Sequence, residues 1–418
     1  MGASKPSSRL HTRSTVICVD SDRGVGQAAA WLGGRLLTGL LEVTDRPEAL
    51  DTPAAGTWAG CGTFEGEWVL ARFEHAVELH ARDLTVATVG RWRGPDAGDW
   101  RSSLDERGYQ LAVELVRAAV ERGEVYQVNV CRVLSAPLPL QQAPEQAPGR
   151  ALQRRPEQAP GRDMSGPLGS SVAALAGVLA AGNPAPYQGF LHLPGVLEVA
   201  SASPELFLSR SGSTISSAPI KGTALTREGL ADKDTAENIM IVDLVRNDLG
   251  RVAVPGSIAA DHLLELQEHP GLVHLVSTVS GQLLPGIGWA GLLAATMPPG
   301  SVSGAPKSSA LRAISELEPS PRGPYCGAFG WVDATTGDGT MAVAIRTFWI
   351  DRHRDRHGEP APALQNEHNL RPQLRFGTGA GITWGSDPLA EWRESELKAD
   401  RLVRLASVSG SDGGRVSP

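Results

Sequence analysis

The sequence TAENIMIVDLVRNDLG, Thr235–Gly250, predicts an amphipathic helix. Apolar residues recur along it at helical spacing, and Gly250 stands at its end, where glycine commonly terminates a helix. Asp234 and Glu237 are three residues apart and therefore share one face of this helix. Two like charges at that spacing destabilise a helix unless another group neutralises them. The stretch thus predicts a helix with an acidic surface that needs a partner.

A second predicted helix, PLAEWRESELKADRLVRL at positions 388–405, carries a matching pair of carboxylates. Glu391 and Glu394 are three residues apart, and Lys398 follows Glu394 by four on the same face. Two facing helices that each offer carboxylates suit Mg²⁺, which prefers oxygen ligands and retains several waters. Acidic pairs are also common on exposed helix faces, and the spacing alone favours that simpler interpretation.

A lysine lies inside the uncharged run APIKGTA, Ala218–Ala224. Lys221 stands directly before Gly222, where the backbone can turn sharply or let a ligand approach. The simplest interpretation is a strand end with an exposed lysine. The alternative is an amine placed for chemistry, in which apolar neighbours would lower the pKa of Lys221 and free its lone pair.

The composition is that of an ordinary soluble globular protein, with 418 residues, 41% hydrophobic and 20% charged, and a net charge of -7. No basic block with interleaved aromatic residues is present, which argues against a nucleic-acid partner. The four cysteines are scattered without a CxxC pair, which argues against a disulfide framework or a zinc site and fits a reducing cytoplasm. No apolar run is long enough for a membrane span, and the first residues lack a signal-peptide pattern. We expect a cytoplasmic protein.

Two segments are interpreted as inserted loops, at positions 141–166 and 351–373. The first contains PEQAPGR twice, a composition that cannot bury a core. The second separates two strand-like segments, MAVAIRTFWI at 341–350 and QLRFGTGAGI at 373–382, and so predicts a long hairpin loop. GYQLAVELVRAAVERG at 108–123 predicts a further helix.

Two glycine-rich stretches resemble nucleotide-binding motifs and fail on inspection. GSVSGAPKSS ends like a P-loop, but Ser301 and Pro306 stand where glycines are required. GTGAGI has Ile382 in place of the third glycine of a dinucleotide fingerprint. Both stretches therefore predict either tight turns or loops that present backbone N–H groups to an anion.

Eight blocks occur in order along the chain: PIKGT, AENIMIVDLVRNDLGRV, HLVSTVSG, GSVSGAPK, RGPYCGAFGW, AIRTF, GTGAGI and EWRESELK. This series resembles the chorismate-utilising enzymes, which include anthranilate synthase component I, aminodeoxychorismate synthase component I, isochorismate synthase and salicylate synthase. The resemblance implies one large α+β domain of two packed, mostly antiparallel sheets flanked by helices, with the site in a cleft between them. Residues 105–405 would form the chorismate-binding catalytic region, 1–104 a weakly matching N-terminal part of the same sandwich, and 406–418 a flexible tail.

Two positions distinguish members of this family. Lys221 stands where aminodeoxychorismate synthases typically have lysine and anthranilate synthases have alanine. Gln127 stands where isochorismate and salicylate synthases typically have a lysine base that activates water. An amide has no titratable nitrogen and cannot act as that base. The resemblance therefore favours aminodeoxychorismate synthase component I, with anthranilate synthase component I as the first alternative and isochorismate or salicylate synthase as the second.

The resemblance assigns chemistry to three residues. Lys221 would attack C2 of chorismate as the C4 hydroxyl departs, and ammonia would then add at C4 and expel the lysine. Glu205, in SPELF, would protonate the leaving hydroxyl, and His274 would be a second polar contact near it. Mg²⁺ would be the cofactor, with Glu237 and Glu394 as direct ligands and Glu391 and Asp234 in supporting positions.

The resemblance also assigns the substrate contacts. The second carboxylate of chorismate would meet Arg346, Tyr325 and the backbone at Gly379 and Ala380, with Lys398 nearby. Ser303 and Gly304 would line the ring pocket. The remaining expected substrate contacts are Gln127, Gly222, Thr223 and Gly381.

The expected partners are chorismate and a source of ammonia. No cysteine stands in the G-x-C-x-G context of a class I glutaminase. We therefore expect a separate glutamine amidotransferase chain, or the use of free ammonia, and a product, 4-amino-4-deoxychorismate, that retains its pyruvyl group.

Overall fold

The computed structural model describes residues 28–88, 92–139, 172–224, 227, 232–269, 272–352 and 371–407. Most of the two predicted inserts, at 141–166 and 351–373, and of the predicted tail at 406–418 lies outside these residues. The side chains of Asp234 and Thr223 are likewise outside the described part.

Two of the described helices begin at an aspartate that caps their first turn. Asp105 caps α2 by accepting a hydrogen bond from the Gly108 N–H at 2.7 Å. Asp387 caps α7 in the same way through the Ala390 N–H, at 2.9 Å. The helices are α1 (Ala81–Thr88), α2 (Glu106–Glu121), α3 (Val172–Gly182), α4 (Asp232–Gly250), α5 (Trp289–Thr296), α6 (Lys307–Leu317) and α7 (Pro388–Ala406).

The described strands all pair antiparallel with their neighbours. They are β1 (Ala29–Leu32), β2 (Arg35–Thr44), β3 (Thr57–Gly62), β4 (Trp68–Glu78), β5 (Arg101–Ser102), β6 (Gln127–Pro137), β7 (Tyr187–Leu193), β8 (Leu197–Ser203), β9 (Leu206–Ser211), β10 (Thr214–Ala218), β11 (Ile220–Ala224), β12 (Ala259–His269), β13 (Leu272–Gln282), β14 (Gly304–Ala305), β15 (Ala328–Asp333), β16 (Gly339–Val343), β17 (Thr347–Asp351) and β18 (Gln373–Ile382).

Hydrogen bonding arranges the strands in two runs that share β4. The first run is β4-β2-β1-β7-β8-β17-β18-β6, with β5 and β14 added to β6. The second run is β4-β3-β15-β16-β9-β10-β13, with β11 and β12 added to β13. The α+β class, the antiparallel sheet and the flanking helices predicted from the sequence are confirmed.

The apolar residues in the described part of the chain form three buried clusters. The largest includes Trp58, Phe73 and Phe329 from the second run and its neighbours, together with the inner side of α4. A second lies between α3, α7 and the first run, and a third lies beneath α2 and α6. None of the described helices has the length and apolar character to cross a membrane.

The segment 341–350 differs from its predicted form as a single strand. It is divided into β16 and β17 at Ala344–Arg346, where Arg346 takes a left-handed φ of 52°. β16 pairs with β9 in the second run, whereas β17 pairs with β8 in the first. One straight strand cannot pair in both runs, so the chain bends between them. The predicted hairpin of β17 with β18 is present.

Candidate active site

Glu205 lies where the chain passes from the first run of strands to the second. Ser203 ends β8 and Leu206 begins β9, so Pro204 and Glu205 form the connection. The Glu205 side chain is buried, and burial raises its pKa to about 7. A hydrogen bond from Ser301, the charge of Lys221 and the Ile220 N–H act in the opposite direction. A carboxyl group in this state holds its proton near neutral pH and can serve as an acid.

Arg346 lies at the other passage between the runs, and its segment pairs with the segment of Glu205. The Val343 N–H donates to the Glu205 carbonyl at 3.0 Å, and the Ala202 N–H donates to the Arg346 carbonyl at 3.0 Å. The partly buried Arg346 guanidinium makes no hydrogen bond or ion pair with any described residue, and burial lowers its pKa. A desolvated cation without a counter-charge favours the binding of an anion.

Lys221, Glu237 and Gln127 form a compact cluster around one oxygen atom. Glu237 Oε1 lies 3.0 Å from Lys221 Nζ and accepts a hydrogen bond from Gln127 Nε2 at 2.7 Å. Burial raises the pKa of Glu237, but Lys221 and Gln127, with the charge of Lys398, together lower it below its usual value. The predicted apolar surroundings of Lys221 are therefore wrong, because α4 turns a carboxylate toward its ammonium group.

A β-bulge directs Lys221 toward α4. The register between β11 and β13 shifts between Ile220 and Thr223, and Gly222 takes a φ of +87°. Bulges commonly redirect side chains next to active sites, and a positive φ favours glycine. The predicted turn at Gly222 is thus part of what places the amine. His274 is buried on β13, opposite Thr223 in the backbone register.

The glycine-rich strand β18 leaves room for this cluster. A Cβ on Gly381 would lie 2.2 Å from Gln127 Nε2 and 3.1 Å from Glu237 Oε1. A Cβ on Gly379 would lie 2.3 Å from the Val130 carbonyl. Side chains at these two positions would therefore displace either the cluster or strand β6, whereas the neighbouring Ala380 is buried in the core beneath α2.

The acidic pair of α7 divides between two environments. Glu394 is about half exposed, and its carboxylate lies 2.7 Å from Lys398 Nζ. Lys398 also donates to the Gly379 carbonyl at 3.3 Å. Glu391 is buried and accepts a hydrogen bond from the Ser386 hydroxyl at 2.7 Å. Lys398 therefore interacts with Glu394 and, through its charge, with Glu237. Glu391 is instead bonded to Ser386, just before the start of α7.

The carboxylates fit Mg²⁺ in the chemistry of their donors. Glu237 and Glu394 offer hard oxygen ligands from α4 and α7, and each is bonded to a lysine in this structure. Within the described ranges, no group of three or more His, Cys, Asp or Glu side chains could hold a metal ion. Of the predicted ligands, Glu237 and Glu394 are the described carboxylates whose chemistry suits such an ion, which would take its further ligands from water or substrate.

Of the remaining predicted contacts, Gly304 adjoins Gln127, whereas Ser303 and Tyr325 are bonded or packed elsewhere. The Ser303 hydroxyl donates to the Pro299 carbonyl at 3.1 Å and the Gly300 carbonyl at 3.3 Å, which closes its own loop. Gly304 takes a φ of +143°, and a Cβ there would lie 2.2 Å from the Gln127 carbonyl. Tyr325 is buried against Gly377, and burial raises its pKa well above the usual value.

Sequence reasoning missed two residues that support this region, Asp248 and Lys307. Lys307 Nζ lies 2.6 Å from Asp248 Oδ2, and both side chains are largely buried. The available signal was the lysine of GAPK, which we noted only as part of a failed P-loop. Its partner is 59 positions earlier in the chain, and no periodicity connects the two.

A family model for chorismate binding enzymes matches residues 159–404. The chain belongs to this family. A relative from Streptomyces coelicolor, anthranilate synthase component 1, is 34% identical over 316 residues, covering 73% of this chain and 52% of the relative. Aminodeoxychorismate synthase component 1 of Bacillus subtilis is 29% identical over 344 residues, covering 79% of this chain and 62% of the relative. The chain spans little more than half the length of these two relatives.

Solved structures support the fold. Anthranilate synthase component I from Streptococcus pneumoniae aligns with a TM-score of 0.62 at 22% identity, covering 97% of this chain and 95% of that one. At this identity the likeness shows the fold of the chain and does not identify its specific activity.

Proposed function

We propose that this chain is the chorismate-aminating component of an aminodeoxychorismate synthase, which converts chorismate and ammonia to 4-amino-4-deoxychorismate. The observation that carries the proposal is the position of Lys221. Its amine lies 3.0 Å from Glu237, and its positive charge lowers the pKa of the buried acid Glu205. A primary amine beside a protonated carboxyl supplies both a nucleophile and an acid.

In the proposed reaction, the neutral amine of Lys221 forms a bond to C2 of chorismate. The ring double bonds shift, the bond from C4 to its hydroxyl breaks, and Glu205 gives its proton to the departing oxygen, so that water leaves. Ammonia then bonds to C4, the double bonds shift back, and the bond between Lys221 and C2 breaks. For the first step Lys221 must leave its ion pair with Glu237 and lose a proton to water, and Glu205 regains a proton from the ammonium group formed at C4.

Substrate orientation in this proposal depends on two anion contacts. Arg346, which no described carboxylate neutralises, would hold the pyruvyl carboxylate, because a guanidinium grips a carboxylate at two points. Magnesium, held by Glu237 and Glu394, would bind the ring carboxylate and polarise the ring. Gln127 and Gly381 keep Glu237 in place beside these groups.

A second candidate is anthranilate synthase component I, which the relative from Streptomyces coelicolor at 34% identity favours. The two activities differ in the ring carbon that receives the amine, C4 in one and C2 in the other. Isochorismate synthesis lacks support at Gln127, because this amide has no titratable nitrogen and already donates to Glu237.

Product analysis tests the proposal. Purified protein is incubated with chorismate, Mg²⁺ and an ammonium salt, and the products are separated by chromatography beside authentic standards. We expect 4-amino-4-deoxychorismate as the main product, with none formed when magnesium is removed by a chelator. Anthranilate or its 2-amino precursor as the main product would establish the second candidate, and isochorismate would exclude both.

A further inference from the structure

Lys307 fastens the loop between α5 and α6 to α4. Its ammonium group lies 2.6 Å from Asp248 Oδ2 and donates to the carbonyls of Thr296 and Pro298, each at 2.9 Å. These bonds use all three of its donors. The two carbonyls lie where α5 ends and the loop begins, whereas Lys307 itself begins α6. One side chain therefore joins both ends of the loop to the last turn of α4.

The loop fastened in this way, residues 297–306, carries the groups that approach Glu205. Ser301 is buried in it and lines the same small cavity as Glu205, whose pKa the Ser301 hydroxyl lowers. Gly300 lies against α4 so closely that a Cβ there would be 2.6 Å from Leu244 Cδ2. The loop thus has little freedom to move toward α4, and its position depends on the helix to which Lys307 ties it.

Glu205 and Asp248 line one small cavity together with Ser301. Glu205 Oε1 and Asp248 Oδ1 are both buried and have no hydrogen-bond partner among the described residues. The space is sufficient for about one water molecule. The acid and the Asp248–Lys307 pair therefore share a single environment with low polarity, in which small displacements of a polar group matter.

We propose that Lys307 and Asp248 are a positioning pair that seats Ser301 against the carboxyl group of Glu205. The pair touches no reacting atom and acts through the loop. The value of this seating for catalysis rests on the proposed function, in which Glu205 is the acid, but the seating itself can be measured without substrate.

Three different effects of the pair on Glu205 predict different outcomes. The charged groups around Glu205 are Lys221 on β11, Asp248 on α4 across the cavity and Lys307 on α6 behind it, and the half-exposed Arg251 lies 4.0 Å from the other oxygen of Asp248. If seating is the effect, loss of either partner withdraws the Ser301 hydroxyl, and the pKa of Glu205 rises in both variants. If charge alone acts through space, loss of Lys307 raises this pKa and loss of Asp248 lowers it. If the pair only stabilises the fold, neither substitution changes the pKa of Glu205.

The test measures the ionisation of Glu205 through the stability of the full chain. Burial raises the pKa of Glu205 from 4.5 to about 7, so the unfolded chain releases this proton at lower pH than the folded chain. The contribution of Glu205 to stability is therefore retained below the lower value and lost as pH rises through the upper one. Melting temperatures are recorded from about pH 5 to about pH 9 for the parent and for Glu205→Gln. The difference between the two melting temperatures changes with pH until Glu205 is fully ionised in the folded chain and is constant above that point. The pH at which it becomes constant, the levelling pH, reports the folded-state pKa of Glu205.

The same pair of measurements is made in Lys307→Met, Asp248→Leu and Ser301→Ala, each with and without Glu205→Gln. We expect the levelling pH to rise by about one unit in all three variants, because each withdraws or removes the Ser301 hydroxyl that lowers the pKa of Glu205. We also expect no further rise when Lys307→Met is combined with Ser301→Ala, since both remove the same contact. Opposite shifts in Lys307→Met and Asp248→Leu, or no shift in either, would overturn the proposal.

Two controls keep the result interpretable. Arg352→Met breaks another ion pair with a buried carboxylate, Glu198, and should lower the melting temperature without moving the levelling pH. A single variant that leaves its partner's charge buried can fail to fold. The double variant Lys307→Met/Asp248→Leu leaves no buried charge unpaired, since Arg251 is half exposed, and it must still show the rise. Because no chorismate is present, failure of the proposed reaction would not alter these outcomes.

Discussion

At the scale of single residues, the structure separates two carboxylates by their surroundings. Glu205 is buried at a passage between strand runs, and its pKa is raised to about 7, mainly by loss of water. Glu237 is also partly buried, yet Lys221 and Gln127 hold its pKa below the usual range. One group is therefore suited to donate a proton and the other to remain an anion beside a cation.

The protonation of Glu205 predicts how activity depends on pH. If this carboxyl is the acid, protonated Glu205 is lost as pH rises through about 7, while the neutral Lys221 amine that the reaction also needs is gained. We therefore expect kcat/KM for chorismate to rise by up to about tenfold per pH unit below about pH 7 and to stay level above it, and this level limb reports the titration of Glu205. The measurement holds the concentration of free ammonia constant, since that also changes with pH.

A matched variant identifies the group responsible for this pH limb. Glu198→Gln alters another buried carboxylate, seven positions earlier on β8, and should leave the limb in place. Glu205→Gln should lose most activity, and its residual rate should lack the limb. A limb that persists in Glu205→Gln would assign the titration to another residue.

At the scale of elements, β18 sets the space in which the cluster of Lys221, Glu237 and Gln127 forms. The strand pairs with β6 in a register that places Gly381 opposite Asn129. A side chain at position 381 would meet both Gln127 and Glu237. The absence of a side chain at position 381 therefore leaves the space that the cluster occupies.

Gly381→Ala tests this role of β18. The added Cβ would lie 2.2 Å from Gln127 Nε2, so the Gln127–Glu237 hydrogen bond must break or shift. We expect kcat/KM to fall by about a hundredfold, as displacements of about an ångström at catalytic groups can cost that much. Gly385→Ala is the control, because nothing lies within 4 Å of a Cβ at that position. Equal activity of the two variants would show that the cluster tolerates the displacement.

The sequence predicted the elements that carry a period and a cap. The helix predicted at 108–123 is α2, at Glu106–Glu121, and the one predicted at 388–405 is α7, at Pro388–Ala406. The division of 341–350 at Arg346 was not predicted, because it results from pairing with β9 on one side and β8 on the other. Neither partner is visible from the local pattern.

The same reasoning separates what was and was not predicted of the site. Ordered motifs led to Lys221, Glu205 and Glu237, and the structure brings these residues into one region. The pairing of Lys307 with Asp248 was missed, because it arises only when α6 packs against the end of α4. A lysine in a glycine-rich loop carries no local sign of its partner.

At the scale of the whole molecule, the site draws on both runs of strands. Gln127, Gly381 and Gly304 come from the first run and Lys221 from the second, while Glu205 and Arg346 lie at the two passages between them. α4 spans the region from Glu237 to Asp248. A displacement between the runs would therefore separate the proposed nucleophile, acid and carboxylate contact at once.

The source of ammonia gives a prediction for the whole chain. No cysteine of the chain has the motif of a glutaminase nucleophile. We expect the isolated chain to form the amino product from ammonium and not from glutamine, and a glutamine amidotransferase partner to confer glutamine use. Chromatography of parallel reactions with each nitrogen source measures this. Product formed from glutamine by the highly purified chain would contradict it.

The covalent role of Lys221 is the central claim, and mass spectrometry tests it directly. The parent is mixed with chorismate and Mg²⁺ without ammonia, quenched over a time course, and analysed intact and as peptides. We predict an added mass equal to chorismate less one water, located on Lys221. Lys221→Arg keeps the positive charge but is a very poor nucleophile, and should show neither the adduct nor more than residual turnover. No adduct on the parent at any time, together with parental turnover by Lys221→Arg, would contradict the account.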